Sequence, residues 1–302
     1  MSLEFGIGLR GLENIAQDAQ AAEKLGYQFV STGEHIFFYG PTNNGLIALA
    51  AAAGATQTIK LMSAITLVPL YPPALLAKQI ATLDSVSNGR FNLGVGVGGE
   101  FPKEFEASGV PVRERGARTN EALDIIQRLM TETDVSYSGR FTTMTEVTLY
   151  PRPIQQPHPP IWISGRTDAA MKRCAKFGDG WLPYMYTPER LAESLSKIQT
   201  FSSETDRQSP VKPGLFIFFA VHHDRQTAIK MATDRLSLQY NQDFSQLVGK
   251  YALAGTPDDC IQRLREYADA GAQTVILNSA CPASYVEENE ALLAQEVIPA
   301  FR

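Results

Sequence analysis

From end to end the chain alternates short apolar runs with stretches of helical periodicity, and that rhythm is what most restricts its fold. Phe5 to Leu9 reads as a strand, Ile15 to Leu25 as a helix closed by Gly26, and Gln28 to Ser31 as a second strand. A loop from Thr32 to Asn44 leads into an alanine-rich helix. Lys60 to Val68 is the third strand, Pro72 to Ser87 a helix opened by Pro72-Pro73 and closed near Asn88-Gly89, and Arg90 to Val97 the fourth strand. The next helix runs from about Arg113 to Thr131, with Leu123, Ile126 and Met130 on one face. Ile161 to Ser164, Thr167 to Phe177, Gly180 to Leu182 and Pro188 to Ser203 continue as strand, helix, strand, helix. Leu215 to Val221 is the seventh strand, followed by a less periodic helical region from Asp224 to about Gly249. Thr256-Pro257-Asp258-Asp259 then opens a helix with a cap, a proline at its first position and two acids favoured by the helix dipole. It runs to Gly271 and delivers Thr274 to Asn278, the eighth strand. The pattern predicts a (β/α)₈ barrel of the TIM type with extra helices near strands seven and eight. A doubly wound sheet is the alternative, but eight parallel strands in one compact unit more often close.

The rhythm breaks only between Asp134 and Pro160, where Tyr137-Ser138-Gly139-Arg140-Phe141, an alternating stretch from Thr142 to Tyr150 and a proline-rich run predict a hairpin and an extended crossover. We read residues 134 to 160 as an insertion in a single domain spanning 1 to 302, placed near the barrel mouth as a lid or flank that influences substrate choice. With 44% hydrophobic and 20% charged residues, the 302-residue chain is of ordinary globular composition. A net charge of -5 without a Lys/Arg block predicts no nucleic-acid or anionic-membrane partner. The small-apolar stretch from Leu46 to Ala55 is about half of a bilayer span. Three scattered cysteines, Cys174, Cys260 and Cys281, and no charged-apolar-small leader fit a reducing cytoplasm.

In such a barrel the chemistry sits at the C-terminal ends of the strands. Those ends carry Gly33-Glu34-His35, Ala64-Ile65-Thr66, Gly96 to Glu100, Ser164-Gly165-Arg166-Thr167, Trp181, His222-His223 and Asn278 to Cys281. Metal-dependent hydrolysis lacks its ligands, with four histidines and no His-x-His on strand one. Schiff-base chemistry lacks its lysine, because Lys60 stands at the beginning of a strand. Phosphate binding fits better. Ile161 to Thr167 runs from strand into helix start, so free N–H groups, hydroxyls and a guanidinium converge there, although an ordinary capped turn would read the same. Glycines at the end of the fourth strand would let a ligand lie against bare backbone.

These segments, taken in order, resemble the luciferase-like flavin and deazaflavin oxidoreductases, particularly their F420-linked branch. The resemblance is carried by Leu75-Leu76-Ala77-Lys78-Gln79-Ile80-Ala81-Thr82-Leu83-Asp84, by Ser87 to Gly98, by Glu114-Arg115-Gly116-Ala117-Arg118, by Pro151-Arg152-Pro153 with Pro159 to Ile163, and by Gly178-Asp179-Gly180-Trp181. It covers roughly residues 5 to 183, and the remaining third fits in rhythm. It implies a barrel holding a deazaflavin or isoalloxazine ring at its mouth, with a non-proline cis peptide at Ala64-Ile65 beneath the ring. Backbone donors near Thr66 and the Gly96-Val97-Gly98 segment would meet the pyrimidine end, and Ser164, Gly165, Arg166 and Thr167 the ribityl phosphate. His35 matches the family's histidine beside the ring, a proton donor or polar contact for substrate. Trp181 reads equally as core filler or cofactor wall.

The chain has Glu34-His35 where the family commonly has Asp-His, and Gly99 followed by Glu100 where an aromatic or acid often follows the glycine run. Overall similarity favours coenzyme F420 and hydride transfer to or from a small organic substrate. The alternative is FMN-linked monooxygenation, with a separate flavin or F420 reductase as partner. Arg10, Arg113 and Arg166 are candidates for a basic groove holding the F420 glutamate tail. A non-catalytic flavin-binding barrel, indifferent to loss of His35, and a cofactor-free barrel lyase or hydrolase are the other readings. The alanine run from Ala48 to Ala55 permits close helix approach, and family members commonly dimerise on this side, which implies a homodimer.

Overall fold

The computed structural model describes residues 2 to 205, 207 and 209 to 302. The chain begins with β1 (Glu4–Gly8), α1 (Ile15–Leu25), β2 (Phe29–Thr32), α2 (Gly45–Ala55), β3 (Lys60–Ser63), β4 (Thr66–Leu67), α3 (Pro73–Val86) and β5 (Phe91–Gly96). It continues through α4 (Pro102–Ala107), α5 (Arg115–Thr131), the antiparallel hairpin β6 (Val135–Ser138) and β7 (Thr143–Val147), β8 (Ile161–Ile163), α6 (Asp168–Phe177), β9 (Gly180–Trp181) and α7 (Pro188–Ser203). The last third holds β10 (Lys212–Val221), α8 (Arg225–Tyr240), α9 (Val248–Tyr251), β11 (Ala252–Gly255), α10 (Pro257–Asp269), β12 (Thr274–Ser279) and α11 (Val286–Leu292).

All pairings in the main sheet are parallel, and the path β12-β1-β2-β3-β5-β8-β9-β10 returns to β12, closing a barrel. The closed (β/α)₈ architecture is the one the sequence predicts. Strands buried on both faces explain the unbroken apolar runs. Alternate side chains separate: Phe29, Met62, Trp162, Leu182 and Ile276 pack inside the barrel, whereas Val30, Leu61, Ile161 and Val275 join the shell under the helices.

Several motifs turn out to be fasteners for this frame. The Arg90 guanidinium donates to the carbonyls of Ala53 (2.9 Å), Thr56 (3.1 Å) and Ile59 (2.8 Å), neutralising the open end of α2. Buried Asp84 accepts from the N–H groups of Ile154 (2.6 Å) and Gln155 (3.0 Å), which anchors the end of the 134 to 160 segment. Asp179 accepts from the N–H of Ile161 at the start of β8 (2.8 Å).

The third strand differs from the single run expected over Lys60 to Val68. β3 is in register with β5 up to Met62 opposite Asn92, and β4 resumes with Thr66 opposite Val95. Four steps on one strand therefore match three on the other, and the surplus is absorbed at Ala64-Ile65, whose peptide bond is cis. The C-terminal third differs more. The helical region from Asp224 ends at Tyr240, where Asn241 takes the left-handed conformation that closes a helix. Ala252–Gly255 then forms β11 against Phe218 to Val221 of β10, a strand that its alanine-rich composition does not announce.

Candidate active site at the barrel mouth

The C-terminal ends of the barrel strands open into one cavity of about 1830 Å³. Beneath it, glycines of β5 let the Ser63 to Ile65 segment pack against bare backbone. A Cβ at Gly94 would lie 1.8 Å from the Ser63 carbonyl oxygen, and one at Gly96 would lie 1.6 Å from Cδ1 of Ile65. Gly94 is held by its neighbour: its N–H donates to Ser63 Oγ (2.9 Å), and that hydroxyl donates back to the Gly94 carbonyl (3.1 Å). Ala64, Ile65, Gly96, Val97 and Gly98 all line the cavity. Thr66 does not; it is fully buried, with its hydroxyl lacking a partner.

One side of the mouth carries His35, held by a residue the sequence reading passed over. His35 Nδ1 lies 3.2 Å from both carboxylate oxygens of Glu104, which is fully buried at the start of α4 and also accepts from the Ile36 N–H (3.3 Å). A carboxylate can only accept, so Nδ1 carries the hydrogen and Nε2 is the ring atom left free to exchange a proton. The imidazole stacks on Phe38 at 4.2 Å. Glu34 has a different task. Its oxygens accept from the N–H of Leu67 (2.9 Å), the hydroxyl of Tyr71 (2.9 Å) and the N–H of Gly45 (3.2 Å), tying the loop after β2 to β4 and α2. Burial raises its pKa and the three donors only partly offset that.

A second group of lining residues is cationic. Thr167 caps α6 by accepting from the Ala170 N–H, Gly165 is in the left-handed half of backbone space at φ 139°, and Ser164, Gly165, Arg166 and Thr167 all line the cavity. Arg113, Arg115 and Arg173 line it too. Arg115 Nε is buried without a partner. Arg173 is nearly buried, donates to Asn120 Oδ1 (2.7 Å) and the Gly116 carbonyl (3.3 Å), and has its pKa lowered by burial. The Arg166 guanidinium lies over the Tyr184 ring at 4.8 Å, and the Tyr184 hydroxyl donates to Glu100. Arg10, grouped with Arg113 and Arg166 in the sequence reading, also lines the cavity but is engaged by acids: it pairs with Glu290 (2.8 Å), Glu287 (3.0 Å) and Asp18 (3.6 Å).

Other strand-end residues fall away from the cavity. Trp181 has no exposed surface and packs in the core, the filler arrangement. His222 and His223 do not line the cavity; His222 Nδ1 accepts from the Asp224 N–H (2.9 Å). Cys281 is buried, which pushes its thiol up to about 11 and leaves it a poor nucleophile. The residues missed were Glu104, Arg115, Arg173 and a set of aromatic rings around His35. For Glu104 a signal existed: Pro102 followed two places later by an acid is the signature of a helix start.

A glycine floor, a cationic strand-to-helix turn and a histidine on one barrel mouth define a class of protein, and the comparison with known families agrees. The profile described as luciferase-like monooxygenase matches residues 6 to 250, and the chain belongs to that family. Among relatives, it is 25% identical to the F420-dependent glucose-6-phosphate dehydrogenase of Nakamurella multipartita, over 97% of this chain and 93% of that one. It is 34% identical to the FMNH(2)-dependent dimethylsulfone monooxygenase of Pseudomonas putida, over 53% of this chain and 46% of that one. The crystal structure of monooxygenase RslO1 from Streptomyces bottropensis superposes with a TM-score of 0.85 at 26% identity, covering 99% of this chain and 100% of that one. The match to an uncharacterised Mycobacterium tuberculosis protein, 31% identical, spans 61% of this chain and 63% of the relative, less than two thirds of its length.

Proposed function

We propose that the protein is a luciferase-like oxidoreductase that binds coenzyme F420 at the barrel mouth and serves hydride transfer to or from a small organic substrate. The observation that carries this reading is one cavity lined by a group of arginines, by His35 and by the glycine-rich end of β5. The residues fit the group: a flat ring needs a surface without bulky side chains, such as the Gly96, Val97 and Gly98 segment beside Ile65, and a phosphate needs donors such as the unpartnered Arg115 Nε. Ala64, Ile65, Gly96, Val97 and Gly98 would border the ring, with Thr66 and Trp181 supporting from behind. Ser164, Gly165, Arg166 and Thr167, with Arg113, Arg115 and Arg173, would hold the phosphate and acidic tail. When bound, a deazaflavin supplies a two-electron hydride donor or acceptor. The chain's part is the proton. His35, its Nδ1 tied to Glu104, gives a proton to a substrate carbonyl oxygen or takes one from an alcohol at Nε2, so hydride and proton together interconvert the two.

The runner-up is an FMN-dependent monooxygenase served by a separate reductase, supported by the likeness to RslO1 and to the dimethylsulfone enzyme. A non-catalytic barrel would keep the cationic end and be indifferent to His35→Ala. Titrating the purified chain with F420 and with FMN, followed by fluorescence, separates the two cofactor readings, and the effect of His35→Ala on turnover separates both from the non-catalytic one. Tighter binding of F420 is expected; tighter binding of FMN selects the monooxygenase, and binding of neither overturns the cofactor assignment.

The same reading includes a homodimer in the cytoplasm. Ile47, Leu75 and Val86 on α2 and α3 are more than half exposed, and the three cysteines are unpaired and buried. No helix among the described residues is long and apolar enough to cross a membrane.

A further inference from the structure

The His35 side of the cavity is walled by aromatic rings. Phe38 and Tyr39 come from the loop after β2, Phe216 and Phe218 from β10, and Tyr240 from the end of α8, and all line the cavity. The rings form one chain of contacts from His35. Phe38 lies 4.2 Å from the imidazole and meets Tyr240 at 6.3 Å and 89°; Tyr240 meets Phe218 at 6.0 Å and 82°; Phe218 meets Phe216 at 5.3 Å and 86°. Near-perpendicular rings make a corner in which a flat guest can stack on one wall while the other presents its edge.

The charges sort the same way. Four cations, Arg113, Arg115, Arg166 and Arg173, belong to the segment after β5, to the β8–α6 junction and to α6. On the aromatic side the cavity-lining cations are Arg10 and Arg235, and the acids are Glu13, Asp18, Glu34 and Glu287, while Arg166 and Glu100, joined through Tyr184, also act on Tyr240. Arg10 is engaged by Asp18, Glu287 and Glu290, and Glu34 by its three donors. What remains is one charge of each sign twice over, Arg235 and Glu13 on the rim and Arg166 and Glu100 beside Tyr184, with Gln239 and Asn278 as neutral polar groups. An anionic guest would enter a region with no surplus of positive charge, and a cationic one no surplus of negative charge.

We propose, resting on the reading of the cationic end as the cofactor site, that the compartment bounded by Phe38, Phe216, Phe218 and Tyr240 binds an uncharged aromatic or fused-ring substrate whose carbonyl or hydroxyl oxygen meets His35. Sugar phosphates and carboxylates are excluded from it.

The test is calorimetric binding to the full chain, with and without saturating F420 or FMN, using 2-acetylnaphthalene, 2-naphthoate and glucose 6-phosphate as probes. The ketone is expected to bind about tenfold or more tightly than the carboxylate carrying the same rings, and glucose 6-phosphate not measurably. Phe38→Ala and Tyr240→Ala should each weaken the ketone about tenfold. Phe38→Leu, which keeps apolar volume and removes only the ring, is the fallback if circular dichroism shows that the alanine variants misfold, and it should weaken the ketone severalfold. Equal or tighter binding of 2-naphthoate or glucose 6-phosphate, or ketone affinity untouched by Phe38→Leu, overturns the proposal. The two layers fail separately. Ring-dependent ketone binding without binding of either cofactor removes the cofactor reading and leaves this one, whereas cofactor binding with carboxylate preference does the reverse.

Discussion

Gly96 and Ile65 share one small volume, and the Ile65 side chain fills what a Cβ on Gly96 would occupy. Gly96→Ala should therefore cost about 1–3 kcal/mol, the usual range for forcing an extra carbon into a packed site. Ile65→Ala on the same chain should recover part of that loss, because the atoms nearest the new methyl are Cδ1 and Cγ1 of Ile65, both of which it removes. Thermal unfolding of the two single variants and the double variant checks this, and an additive double variant sinks the shared-volume account. His35 and Glu104 form the second pair. With the cofactor bound, His35→Ala should lower kcat about 10²–10⁴-fold with KM little changed. Glu104→Ala should cost a comparable factor, and the double variant little more than either alone, since Glu104 acts through the imidazole. Multiplying losses would mean that the carboxylate has an independent role. His35 was legible because its neighbours form a motif; Glu104 was not, because its partner is 69 residues away and only the closed barrel brings them together.

At the level of elements, the junction between α1 and β3 hangs on Glu23. Its carboxylate accepts from the N–H groups of Gln57, Thr58 and Ile59 and from the Thr58 hydroxyl. Partial burial alone would raise its pKa, but the bonds from Thr58, Ile59 and Gln57 together outweigh that and lower it to about 2. A carboxyl depressed in the folded state contributes stability above its unfolded pKa and loses it as pH falls through the folded value. The window runs from about 4.5 down to about 2. Glu23→Gln should unfold about 2 °C below the parent at pH 6, a loss of roughly 1 kcal/mol after allowing for solvent exposure, and the gap should close toward pH 2. A gap independent of pH would mean that shape, not charge, holds the junction. Elements with their own local signals were readable, including the Thr256 cap, the Pro73 helix start and the apolar runs of β1, β5 and β12. β11 was not, because Ala252-Leu253-Ala254-Gly255 has no strand preference of its own and takes its conformation from pairing with β10.

For the whole molecule, period and length were enough to predict closure, since each strand needs both faces covered and the intervening helices cover the outer one. The character of the mouth was harder to read, because its aromatic corner draws on the β2 loop, β10 and α8, which meet only after closure. The outside of the barrel poses the last question. α2 has no charged residue, and Ile47, Ala50, Ala51 and Gly54 form an exposed face beside the exposed Leu75 and Val86 of α3. A stable homodimer buries about 800 Å² from each partner, and a small-residue face lets helices approach closely enough to do so. Light scattering at micromolar concentration should therefore report twice the mass of one chain. Nothing lies within 4 Å of a Cβ built on Gly54, so Gly54→Arg is accommodated by the isolated barrel and obstructs only a second helix packed on that face. With Ile47→Glu it should yield monomers that still bind cofactor. A parent chain that is already monomeric, or a double variant that stays dimeric, would move the interface off α2 altogether.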